Sequence, residues 1–123
     1  MSWEHFDVKK TGLCTVLRRE TGERFQCPYQ LGTVSTGKSR VFWGYQISIN
    51  LGDREIIGKS QGYSESYVLA LKECNWKLEA EGLLLLVAGN SAHYSESAMS
   101  GSAGYGYVSD RMAAVHIMSD IPD

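Results

Sequence analysis

The amino-acid sequence predicts an α+β domain: a mainly antiparallel sheet of five or six strands with one principal helix packed on it. Three observations carry that prediction. Residues 60–89 read as an amphipathic helix that runs directly into the apolar run Leu83–Ala88. Residues 40–50 alternate large apolar and polar side chains with the period of a strand. Glycine-bearing turn signals at Thr21-Gly22 and Leu51-Gly52-Asp53-Arg54 separate short apolar segments, as hairpins require.

In chain order, Trp3, Phe6 and Val8 give an apolar N-terminal arm, and Lys9-Lys10-Thr11-Gly12 reads as a turn. Leu13–Arg19 is then a strand, and Arg24–Cys27 returns as the second half of a hairpin until Pro28, which lacks an N–H, stops the pairing. Gly32–Lys38 reads as a loop; its glycine spacing does not match a phosphate-binding loop. Val41, Trp43, Tyr45, Ile47 and Ile49 then form the core face of the clearest strand, with Gln46, Ser48 and Asn50 on its other face. Glu55–Gly58 is its antiparallel return.

The helix follows. Tyr67, Leu71, Cys74 and Leu78 recur at the spacing of one helix face, widened by Val68 and Ala70, while Lys72, Glu73, Lys77, Glu79 and Glu81 fall mostly elsewhere. Ser64 is the expected N-cap and Gly82 the C-terminal stop. Glu73 and Lys77 stand at i, i+4, a stabilising pair. Leu83–Ala88 has no polar alternation, which predicts a central strand covered on both faces. Beyond it, residues 90–106 are rich in Ser and Gly and read as a surface loop with a short strand at His93–Ser97. Tyr105–Val108 and Ala113–Met118 are the last two strands.

The chain has 123 residues, 43% apolar and 21% charged, with two prolines. That is the make-up of one globular domain, 1–123, large enough to bury a core without staples. Its first ten residues lack the apolar segment of a signal peptide and no run is long enough to span a bilayer, so a cytoplasmic location is expected. Three cysteines with no C-x-x-C pair predict reduced, buried thiols. Scattered His5, His93 and His116 predict no metal site.

Charge is divided unevenly. Residues 1–59 carry nine Lys or Arg against six Asp or Glu, and residues 60–123 carry three against eight. An acidic half can steer a basic partner. Nucleophilic chemistry is open to Ser100 or Cys27 with His93 or His116 and Asp110 or Asp120, but no nucleophile elbow frames them. Basic residues of the first half with Phe25, Phe42 and Trp43 would suit nucleic acid, although no ribonucleoprotein-type aromatic motif is present. Protein recognition fits the residues best. Tyr94, Tyr105 and Tyr107 in a Ser/Gly-rich setting combine rigid rings with adaptable backbone; Glu96 and Asp110 supply charge, and Trp76 is an exposed aromatic on the helix.

The segment from Ala70-Leu71-Lys72-Glu73 through Leu84-Leu85-Leu86-Val87-Ala88-Gly89 to Tyr94-Ser95-Glu96-Ser97-Ala98-Met99-Ser100, within a small acidic domain, resembles the immunity proteins of bacterial toxin–immunity systems, such as contact-dependent growth inhibition. The resemblance implies a non-enzymatic protein that binds a cognate toxin domain, often a nuclease, and occludes its active site. It implies no cofactor, no nucleic-acid ligand and no membrane. The expected partner-binding residues are Trp76, Tyr94, Glu96, Tyr105, Tyr107 and Asp110. A small hydrolase or transferase using the 90–106 loop is the alternative expectation.

Overall fold

The computed structural model describes residues 4–36, 41–61, 67–91, 94–95, 104–108 and 115–120, with the backbone alone for 41–43, 61, 95 and 105–108. The main sheet consists of β1 (Glu4–Arg18), β2 (Arg24–Thr36), β3 (Val41–Asn50), β4 (Glu55–Gln61) and β5 (Leu83–Leu85). Its order is β4-β3-β2-β1-β5 and every neighbouring pair is antiparallel. One helix, α1 (Tyr67–Glu79), packs on β3, β4 and β5. The expected α+β architecture is therefore present. A smaller sheet of β6 (Tyr94–Ser95), β7 (Tyr105–Val108) and β8 (Val115–His116) completes the described chain.

The core lies between α1 and one sheet face. Cys14, Val16, Tyr29, Leu31, Ile47, Ile49 and Ile56 supply the sheet side; Tyr67, Ala70, Leu71, Cys74 and Leu78 supply the helix side. These helix residues are those that the periodicity assigns to the buried face. Tyr67 meets Tyr45 edge-on, with ring centroids 4.6 Å apart, a favoured aromatic geometry. Gly58 lets the layers touch: a Cβ there would meet the Ala70 carbonyl oxygen and lie 2.7 Å from Cys74 Sγ. The Glu73–Lys77 pair forms at 3.2 Å, and Gly82 adopts φ 74° just after the helix, as expected of its stop. Ser64 lies outside the described residues.

Four expectations are corrected. First, residues 9–12 are not a turn but part of β1, with a register shift between Val8 and Lys10. The shift lets the long strand bend without breaking, and the Tyr29 ring covers Gly12 from the paired strand, restoring the packing a glycine cannot provide. Second, Pro28 does not end the pairing: it sits opposite Leu13, and β2 pairs with β3 only from Tyr29 onward. Its missing donor thus falls where one neighbour strand is absent. Third, Gly32–Thr36 is strand rather than loop, paired on both sides. Gly32 is required there because the Asp7–Val8 backbone passes over it, with Val8 Cα 2.9 Å from where its Cβ would be. Fourth, Leu83–Ala88 is not a central strand. Only Leu83–Leu85 is strand, at the sheet edge; Val87 and Ala88 are buried instead by a 3-10 turn at Ala88–Asn90 and a bridge from Val87 to Asp120.

Two smaller differences follow from tertiary packing. Gln46 and Ser48, on the polar face of β3 opposite its assigned core face, are buried and hydrogen-bonded to each other at 3.0 Å. Among the described residues the last strand covers Val115–His116, after which the chain turns so that Ile117 and Met118 enter the core; Ala113 and Ala114 lie outside the described residues.

Candidate functional site

The helix that covers the sheet also presents an exposed apolar stripe. Trp76 retains 72% of its surface and Leu69 40%. Seven residues apart, they fall on the same side of α1, opposite the buried Leu71, Cys74 and Leu78. Exposed Lys72 lies between them along the stripe. Charges around the helix end are largely satisfied: Lys77 pairs with Glu73 and donates to the Ile57 carbonyl at 2.6 Å, while Arg54 engages both Asp53 and Glu81. Glu79, one turn beyond Trp76, has no cationic partner among the described residues.

Beside this stripe, between α1 and β5, lies a groove of about 360 Å³ lined by Asn75, Glu79, Leu83–Leu86 and Asn90. Asn75 and Asn90 join its walls through reciprocal amide bonds of 2.6 and 2.9 Å, and Asn90 Nδ2 also donates to the Leu85 carbonyl at 2.8 Å. Neither asparagine is among the residues expected from the sequence. The signal was Asn75 itself, a polar residue four after Leu71 and three before Leu78, on the flank of the buried face where an amide needs a partner.

The other expected residues are separated from Trp76. Tyr94, on β6, is half-buried and packs against the core, so part of its ring is structural. Tyr105 and Tyr107 are on β7, opposite His116 and Ser95. A Cβ at Gly104, which precedes them, would stand 3.6 Å from the ring of Tyr67 at the start of α1, and Tyr67 lies about 13 Å along the helix axis from Trp76. The tyrosines and the tryptophan therefore belong to different elements. Glu96 and Asp110 lie outside the described residues, as do His93 and Ser100.

The buried titratable groups are tuned away from nucleophilic chemistry. Burial pushes the Cys14 and Cys74 thiols up to about 12, and raises Cys27 as well. The Cys14 and Cys74 thiols act as weak donors, to the Cys27 and Ile47 carbonyls respectively, each at 3.4 Å. His116, buried and stacked on Tyr29, is held down at about 4 by desolvation and, secondarily, by Lys10. A Cys27–His116 couple would need both shifts reversed, since thiolate and imidazolium are the reactive forms. A disulfide-exchange reagent at mildly alkaline pH is accordingly expected to leave all three thiols unmodified in the native protein and to modify three after denaturation. Rapid native labelling would contradict this burial.

Among the described residues no three His, Cys, Asp or Glu side chains converge as metal ligands, and no helix is long and apolar enough to cross a membrane. Fold and site together define a class: an α+β domain whose main helix carries an exposed tryptophan beside an edge-strand groove. Comparison of the chain with protein-family models, curated proteins and solved structures finds no match.

Proposed function

We propose that this protein acts by binding another protein through the exposed side of α1, and that the partner is a bacterial toxin domain which it neutralises, as an immunity protein does. The observation that carries the reading is Trp76, 72% exposed, with the exposed Leu69 two turns before it on the same side of a helix otherwise well anchored. A tryptophan in water leaves a large apolar surface whose burial is strongly favourable, and such residues dominate binding energy in interfaces. Of the cations, Lys9, Arg54, Lys59 and Lys77 are already paired with carboxylates, so a phosphate backbone would have to displace these four, while exposed Arg18, Arg19 and Arg24 form no ion pair among the described residues.

The test is co-expression with the product of the gene immediately upstream, the candidate toxin. Growth is expected to be restored by this protein and lost again with Trp76→Ala, which should weaken the complex by about 2 kcal/mol, roughly thirtyfold. Because Trp76 is exposed, its removal should change folding stability by less than about 0.5 kcal/mol. An upstream product without toxicity, or a complex indifferent to Trp76→Ala, would count against the reading.

A further inference from the structure

The hydrogen bonds between β1 and β5 determine which backbone groups of β5 face outward. Leu86 N–H donates to the Thr15 carbonyl at 2.9 Å, and the Gly82 carbonyl accepts from Arg19 N–H at 3.0 Å. Residues that exchange bonds alternate along an antiparallel pair. Gly82, Leu84 and Leu86 therefore turn their backbone groups to β1, and Leu83 and Leu85 turn theirs away from it. The Leu85 carbonyl has this parity, because it accepts from Asn90 on the outer side. The N–H and C=O of Leu83 and the N–H of Leu85 are the edge groups left, at the end of the strand order; they belong to buried residues, 3% and 4% exposed, that line the groove.

Four consecutive residues, Leu83–Leu86, line the groove. Side chains of a strand alternate between faces, so a groove that touches all four runs along the backbone edge and not over one face. Its volume of about 360 Å³ suits two or three residues of extended chain. Asn90 closes one end by occupying the Leu85 carbonyl. Glu79 stands in the wall with its carboxylate unpaired among the described residues, whereas neighbouring Glu73 and Glu81 are neutralised by Lys77 and Arg54.

We infer that this groove receives a short extended segment of a partner protein, which adds to β5 as a further strand and places a Lys or Arg side chain against Glu79. The inference rests on the protein-recognition reading above and names its site. Backbone bonds to Leu83 and Leu85 supply sequence-independent attachment, as in other strand additions, and the charge-assisted bond to Glu79 supplies selectivity.

The test uses blocked hexapeptides rich in Val and Thr with Lys, Glu or Gln at the central position, titrated into the ¹⁵N-labelled protein. The Lys peptide is expected to shift the Leu83 and Leu85 amides and to bind about tenfold more tightly than the Glu peptide, equivalent to one charge-assisted contact. Glu79→Lys, an exposed change, should reverse that preference. Absence of shifts at these two amides with every peptide, a preference unchanged by Glu79→Lys, or a concentration-dependent dimer that protects these amides would each overturn the inference. The two proposals fail separately. Toxin protection that depends on Trp76 without any peptide response removes only the edge site, whereas a peptide response without toxin protection removes only the immunity function.

Discussion

Replacing Gly58 with Ala is expected to lower folding stability by about 3 kcal/mol, at the upper end of ordinary overpacking, and the melting temperature by roughly 10 °C. The added methyl group would meet the Ala70 carbonyl oxygen and stand 2.9 Å from the Cys74 amide nitrogen, both helix backbone. Backbone cannot rotate aside as a flexible side chain does. Relief requires α1 to move off the sheet, which loosens the packing of Leu71, Cys74 and Leu78 at once. Gly22→Ala is the matched control. Gly22 has φ 74° and nothing within 4 Å, so its alanine meets only left-handed backbone strain, about 1 kcal/mol. Chemical denaturation of both variants separates the effects; equal losses would show that close layer contact at Gly58 is not what the fold depends on.

The second large effect is acid sensitivity through His116. Its folded-state pKa of about 4 lies below the ordinary 6.5 because burial disfavours the imidazolium, with Lys10 adding to the effect. The unfolded chain therefore takes up this proton at higher pH than the folded protein. The stabilisation is fully present above about pH 6.5, declines as pH falls, and is lost by about pH 4, amounting to about 3 kcal/mol. Geometry points the same way. His116 Nδ1 accepts the Met118 N–H at 3.1 Å, a bond available only while Nδ1 is unprotonated. The adjoining turn holds Ala88 N–H on the Ser119 carbonyl and Gly89 N–H on the Ile117 carbonyl, so protonation strains the join between β8 and the 3-10 turn. Denaturation across this pH range should show a steep decline for the wild type and a shallower one for His116→Gln. Because other titrating groups are common to the two proteins, parallel curves would remove His116 as the cause.

The helix was legible because its pattern is local. Tyr67, Leu71, Cys74 and Leu78 share a face by spacing alone, and that face is the one buried. Trp76 was legible as an exposed aromatic for the same reason, being out of phase with that stripe. The groove was not legible. It depends on Asn75 meeting Asn90, fifteen residues away, and on β5 taking the sheet edge, neither of which leaves a periodic trace. Residues 9–12 and 32–36 carry turn signals yet form strand for a related reason. Glycine and lysine carry turn propensity, but in a long bent strand the same residues accommodate a bulge and a close backbone approach.

By itself, the amino-acid sequence determined the class of fold, the buried face of α1, the β3–β4 hairpin and the helix stop at Gly82, all consequences of side-chain period and local backbone preference. Tertiary structure alone decided the strand order, the edge position of β5, the burial of Gln46 and Ser48, and the separation of Trp76 from the tyrosine-bearing sheet. These depend on contacts between segments distant in the chain, where the free energy lies in layers meeting and in which polar groups find partners, and neither is encoded within one segment.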